Sequence, residues 1–167
     1  MKILIIGIVA SGKTTLAKKL SKELNIRYYE IDSIVHDDLN ARKRTIEEQS
    51  KIINEINQKE DWIIEGTLRK NLYYLLELSD QIIYLDIPSA IRKRRIFTRF
   101  LKQKLGIEKC NYKPTLRMLK SMYKWTKDYE KERVDFEKHL EQYSKKLIIL
   151  NNINELEVKS EYYKTKK

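Results

Sequence analysis

The stretch Met1–Leu20, MKILIIGIVASGKTTLAKKL, leaves the chain few folds to choose from. An apolar run, Ile3–Ile6, breaks at Gly7, and an amphipathic pattern carrying Leu16 and Leu20 resumes after Gly12-Lys13-Thr14-Thr15. A short apolar run, a break and then a 3.6-residue period spell strand, loop and helix. The spacing Gly7-x-x-x-x-Gly12-Lys13-Thr14 is that of a phosphate-binding loop, in the context such a loop requires. Glycines let successive N–H groups point into one concavity, the helix N-terminus adds about half a positive charge, and Lys13 adds a full one. Gly7, Ile8, Val9, Ala10, Ser11, Gly12, Lys13, Thr14 and Thr15 are therefore the expected nucleotide-binding residues. Thr14 stands where its hydroxyl would meet a Mg²⁺ ion bridging the outer phosphates of ATP, and Thr15 adds a second donor. The plainer alternative is a glycine-bearing turn. Average usage would give about 12 glycines in a chain of this size, and this one has four, two of them here.

At 167 residues the chain is expected to form one domain, 1–167, with a core that needs no staples. Cys110 is the single cysteine, so no internal disulfide can form, and without zinc spacing around it metal is expected only with nucleotide. Ile3–Val9 is too short for a bilayer span or a signal peptide. A soluble, cytoplasmic chain with no membrane partner, a monomer or weak dimer, is the expectation. The net charge of +11 calls for anionic partners without choosing between nucleotides, nucleic acid and acidic lipid.

Beyond the first helix, Thr14 to about Leu24, residues Ile26–Ile31 read as a second strand ending at Asp32. Ligands of open parallel sheets bind at the strands' carboxyl ends, so Asp32 can orient an acceptor hydroxyl or a Mg²⁺ water, or merely cap a helix over Ser33–Leu39 that holds His36. A basic break at 40–44 offers Arg42 and Arg44 for an acceptor phosphate, or as solvated charge. Thr45-x-x-Glu48 spells a capping box for a helix through about Gln58, striped by Ile46, Ile52, Ile53 and Ile56. The third strand, Asp61–Ile64, leaves through Glu65-Gly66-Thr67-Leu68-Arg69: a carboxylate for a metal water, a glycine for close approach, and a guanidinium for a phosphate, unless it is a plain turn. A helix at 72–78 and a fourth strand, Gln81–Ile87, follow.

Pro88-Ser89 starts a helix whose Arg92, Arg95, Arg99 and Lys102 fall on one face, either solvated or meeting a polyanion, while Ile91, Ile96 and Phe100 pack elsewhere. Residues 103–114 read as a loop or lid. A long helix runs from Thr115 to about Tyr143, with Arg133 inside its apolar stripe, paired to a carboxylate or aimed at a phosphate. The fifth strand is Lys146–Leu150; Asn152 and Glu155 can cap a last helix, and the end at 163–167 frays. Strands alternating with helices predict an α/β fold of three layers with a five-stranded parallel sheet.

GIVASGKTTLAKKL, IDSI, WIIEGTLR, YLDIP with the arginine-rich RKRRIFTR, and KLIIL together resemble the P-loop kinases of the adenylate-kinase-like group, most closely the small bacterial topology modulation proteins (the FlaR-like group). The resemblance implies a nucleoside monophosphate kinase-like P-loop NTPase fold with a small helical lid at about 100–133. It implies that Glu65 takes a metal-water role and Arg69 a transferred-phosphate role. It makes Arg95 and Arg99 lid arginines, joined by Arg92 and by Lys127, Asp128 and Arg133 on the far arm. Ala10 stands where that group usually has another glycine, Glu65 replaces an aspartate and Leu68 a proline. The AMP signature after strand two is absent, and Asp32 is more similar to the acceptor-hydroxyl aspartate of shikimate and gluconate kinases.

The expected activity is phosphoryl transfer from ATP·Mg²⁺, with Lys13, Arg69, Arg95 and Arg99 catalytic and Asp32, Arg42, Arg44, Glu65, Gly66 and Arg69 around the acceptor. A nucleoside monophosphate is the first choice of acceptor and a small hydroxylated metabolite the second. The competing expectation is an ATP-dependent nucleic-acid-binding protein that affects DNA topology, motivated by the charge and the basic row; no nucleic-acid-binding motif supports it. A GTPase switch is set aside because neither Asn-Lys-x-Asp nor Asp-x-x-Gly occurs.

Overall fold

The computed structural model describes residues 1–37, 40–108 and 114–152. Strand β1 (Lys2–Gly7) is the centre of the sheet, and alternation along it decides the layering. Ile3 and Ile5 point to one face, Leu4 and Ile6 to the other, and all four are fully buried. Both faces must therefore be covered, as continuous apolar strands require. Helix α1 (Lys13–Leu24) covers the first face through Leu16, Ala17, Leu20 and Leu24. The second face is covered by α2 (Ile31–Val35), α3 (Ile46–Asn57), α4 (Tyr74–Leu78) and the end of α6 (Leu116–Glu141).

Five parallel strands form the sheet: β1, β2 (Tyr28–Glu30), β5 (Trp62–Gly66), β6 (Gln81–Leu85) and β7 (Leu147–Leu150), in the order β2-β5-β1-β6-β7. The register pairs Ile6 with Gly66 and with Tyr84, so the carboxyl ends of β1, β5 and β6 finish level. This is the expected three-layer α/β P-loop fold.

Several expected boundaries move. The second strand stops at Glu30 because Ile31–Val35 turns helical, which puts Asp32 in the first turn of α2, where a carboxylate suits the helix dipole. His36 is not helical: His36–Asp37 is β3, paired antiparallel with β4 (Arg42–Lys43). Asn40 Nδ2 donates to Asp37 Oδ2 at 2.7 Å and holds the turn of that hairpin. The helix expected over Ser33–Leu39 thus ends at Val35; its positions 38 and 39 lie outside the described residues, as do Cys110, the cap at Glu155 and the lysine-rich end.

The capping box of α3 is present, with Glu48 N–H donating to Thr45 Oγ1 and Thr45 N–H to Glu48 Oε2. Ile53 and Ile56 face the core, whereas Ile46 is 58% exposed ahead of the packed turn. Helix α5 (Ser89–Lys104) buries Ile96 and Phe100 but leaves Ile91 outside, and packs along α6.

Candidate active site

The loop at the end of β1 has the shape its glycines permit. A Cβ on Gly7 would lie 2.9 Å from the Leu85 carbonyl oxygen and from Ser11 Oγ, and Gly12, which precedes α1, has a left-handed φ of 102°. Ala10 also adopts a left-handed φ, 61°, the conformation that makes a glycine usual at that place. Lys13 Nζ bends back to donate to the Ile8 carbonyl at 2.9 Å. Burial lowers the Lys13 pKa, opposed first by the negative charge of Glu65 and then by that of Asp32. Those three charges share one small volume.

Glu65, at the end of β5, is 3% exposed and accepts from Thr14 Oγ1 at 2.5 Å. Burial raises its pKa, with the Thr14 hydroxyl and Lys13 pulling the other way. The consequence for stability has a definite sign. The folded state holds its proton to higher pH than the unfolded chain, so this carboxyl costs stability as pH rises from its ordinary 4.5 through the raised value. Glu65→Gln removes that loss. The melting temperature of the wild type minus that of the variant is expected to fall as pH climbs through this interval, and a difference flat with pH would contradict it.

Two oxygen donors side by side, Thr14 Oγ1 and Glu65 Oε1, are hard ligands of the kind Mg²⁺ takes. No group of three or more His, Cys, Asp or Glu among the described residues could hold a metal by itself. The arrangement thus fits an ion that takes its remaining oxygens from phosphates and water.

These residues open onto a cleft of about 1980 Å³. Gly66 lets β5 run tight against α2, since a Cβ there would fall 2.5 Å from Ile31 Cβ. Thr67 Oγ1 donates to the Gly7 carbonyl at 3.2 Å and ties the exit of β5 to the phosphate loop. Arg69 Nη2 meets Asp32 Oδ1 at 3.3 Å across the cleft. From α5, Arg95 Nη1 reaches the Ser11 carbonyl at 3.1 Å, and Arg99, half-exposed, pairs with Glu108 at 3.0 Å on the rim. Lys13, Thr14, Thr15, Asp32, Glu65, Gly66, Arg69, Arg95 and Arg99 therefore meet at one place.

Four expected site residues do not join them. Arg42 forks onto Glu48 at 2.6 and 2.7 Å and holds its carboxyl at a pKa of about 2. Arg44 donates to the carbonyls of Ser33, Ile34 and His36 and so caps the end of α2. Arg92 is buried in the α5–α6 contact, with Nε donating to the Ile87 carbonyl at 2.8 Å and Nη2 paired with Glu130. Arg133 is claimed by Asp86 and Glu137, both at 2.6 Å. These guanidiniums have carboxylate or carbonyl partners within the fold, which is why they do not face the cleft.

Aromatic rings along the cleft were not expected. Tyr73 stacks on His139 with ring centroids 4.8 Å apart, Phe136 lies 6.2 Å from Tyr73, and Trp125 is half-exposed in the same cleft. Phe136 and His139 lie three residues apart on one face of α6. The meeting with Tyr73 is tertiary.

A family model described as an AAA domain matches residues 3–111. A cytidylate kinase of Sulfolobus acidocaldarius is 31% identical over 117 residues, 59% of this chain and 62% of that one. A shikimate kinase of Flavobacterium psychrophilum is 32% identical over 103 residues, 60% and 59% of the two chains. The chain thus matches about three fifths of the length of these curated relatives. Among solved structures, a deoxyadenosine kinase from M. mycoides with bound dATP superposes with a TM-score of 0.53 at 17% identity, covering 98% of this chain and 99% of that one, which is a likeness of fold.

Proposed function

The chain belongs to the AAA-domain family, and from that premise we propose that it is a P-loop kinase that moves the γ-phosphoryl group of ATP onto a hydroxyl of a small acceptor. The carrying observation is the meeting of Lys13, Thr14 and Glu65 with Asp32 in a single cleft at the carboxyl ends of the strands. That the similar proteins are named as kinases of small molecules supports the same reading.

Each residue then has one task. The loop N–H groups and Lys13 bind the β- and γ-phosphates, and Mg²⁺, when bound beside Thr14 and Glu65, neutralises charge on the phosphates. Arg69 and Arg95 stand on opposite sides of the loop and supply positive charge where the transferred group passes. Asp32 accepts the hydrogen of the acceptor hydroxyl. The acceptor oxygen forms a bond to the γ-phosphorus, the bond from that phosphorus to the β–γ bridging oxygen breaks, ADP keeps the electron pair, and the hydroxyl proton leaves through Asp32 to water. The rest is positioning and charge neutralisation, which is most of what phosphoryl transfer asks of a protein.

A phosphate acceptor is already ionised and needs cations, whereas a hydroxyl needs a carboxylate to take its hydrogen. With Arg42 and Arg44 occupied elsewhere and Asp32 in the cleft, the second of the two expected acceptor classes is the better fit. Three of the four residues of the basic row that motivated the nucleic-acid reading are engaged within the fold: Arg92 is buried, Arg95 bonds the phosphate loop and Arg99 is ion-paired.

Asp32→Asn keeps the shape and removes the proton acceptor. It is expected to lower kcat by about a hundredfold or more while KM for ATP stays within about twofold. Unchanged kcat would remove Asp32 from the chemistry.

A further inference from the structure

We infer that the side of the α5–α6 pair turned away from the cleft docks on an anionic phospholipid surface. This goes beyond the kinase reading and does not depend on it. Charge is the first observation. Residues 88–127 hold 13 of the 35 lysines and arginines but one, Glu108, of the 24 acidic residues, a balance of +12. The rest of the chain, with 22 cations and 23 anions, carries −1, so this arm accounts for the whole excess of +11. A surface that is merely solvated intersperses both signs.

The helices divide that charge between two sides. Arg94, Arg95, Arg99 and Lys102 line the cleft. Lys93, Phe97, Leu101 and Lys104, at steps of four, four and three residues, share another face of α5, and none of them lines the cleft. On α6, Leu116, Lys120 and Lys124 follow one another at steps of four and also stay out of the cleft. Tyr123 Oη donates to the Lys93 carbonyl at 3.2 Å, which sets the two faces side by side. Phe97, Leu101 and Leu116 are 49, 41 and 63% exposed, and among the described residues none of these four lysines has a carboxylate partner.

Large apolar side chains set among lysines are the pattern of a helix that lies in a membrane interface. The apolar groups enter the boundary of headgroups and acyl chains, while each lysine lays its methylenes beside them and keeps its ammonium at the lipid phosphates. Residue type favours this over other anions. The cleft side carries mostly arginine, whose fork matches a single phosphate or carboxylate, whereas the outer faces carry lysine, a point charge suited to a diffuse negative field. A nucleic-acid backbone would satisfy the lysines and leave Phe97, Leu101 and Leu116 in water. A second copy of the chain would set lysine against lysine. The contact is with a surface and not a span, since no described helix is long and apolar enough to cross a membrane, and it departs from the expectation of no membrane partner.

The full chain is sedimented with phosphatidylcholine vesicles, with and without about one third phosphatidylserine, at about 0.1 and about 0.5 M salt. The expected result is binding to the anionic vesicles about tenfold or more above the neutral ones, weakened by salt. Phe97→Ser with Leu101→Ser, and separately Lys93→Gln with Lys104→Gln, should each lower partitioning about tenfold, with ATP affinity and melting temperature little changed. Absence of binding, or equal binding to neutral and anionic vesicles, overturns the proposal. So does binding that the lysine pair weakens and the Phe97 and Leu101 pair leaves intact, which would mean charge alone. Mixed-sequence duplex DNA that binds more tightly than the vesicles and displaces the chain from them also overturns it, in favour of nucleic acid. ATP binding and phosphoryl transfer, measured without vesicles, decide the kinase reading separately.

Discussion

Replacing Lys13 with alanine is expected to lower phosphoryl transfer by about two to three orders of magnitude, the usual loss when one preorganised donor to a developing charge is removed. The variant should fold. Lys13 Nζ makes one described hydrogen bond, to the Ile8 carbonyl, and its charge is held against a burial cost that lowers its pKa. Removing the side chain takes away that cost along with the bond, so the melting temperature should move little. Glu65 loses the positive charge beside it, whereas Asp32 keeps its pair with Arg69. Activity within a few-fold of wild type in Lys13→Ala would mean that the phosphates are held by backbone N–H groups alone.

Glu130→Ala is expected to give a large loss of stability. Arg92 is 2% exposed, with Nε satisfied by the Ile87 carbonyl and Nη2 by Glu130, so truncating Glu130 leaves a buried guanidinium half-served. Breaking such a pair from one side costs about 3 kcal/mol or more, which for a chain of this size is a fall of roughly 6–12 °C in Tm. The contrast is Lys131→Ala. Its pair with Asp128, at 3.7 Å, is exposed on both sides and is expected to cost less than about 1 kcal/mol. Equal losses in the two variants would show that Arg92 is held by packing rather than by Glu130.

The same pair shows where sequence reading stops. Arg92, Arg95, Arg99 and Lys102 fall on one face of α5, and that spacing is the spacing of an apolar core stripe as much as of a phosphate-facing row. The choice is made by Glu130, 38 residues further on, whose position relative to α5 depends on the helix packing. Arg42 had its partner, Glu48, only six residues away, but across the turn into α3, so the pairing follows from the hairpin β3–β4, which no periodicity announced.

What was legible is what the backbone demands locally. Gly7 and Gly12 are fixed by a close approach and a left-handed φ, Thr45 and Glu48 by a reciprocal cap, and β1 by residues that must be buried on both faces. Glu65 and Asp32 were legible as carboxylates near strand ends, although Asp32 arrives by the first turn of a helix. The Tyr73–His139 stack was not, because the two rings are far apart in the sequence and meet only in the folded chain.

The central claim is that Lys13, Thr14, Glu65 and Asp32 form one phosphoryl-transfer site. It is tested most directly by following the label of γ-labelled ATP, with Mg²⁺ and a panel of nucleosides, nucleoside monophosphates and small hydroxylated acids, in wild type and Lys13→Ala side by side. The account predicts label appearing on the acceptor hydroxyl in the wild type, with ADP formed one for one, and near-absence of both products in the variant. Label released only as inorganic phosphate, at a rate that no acceptor changes, would contradict it.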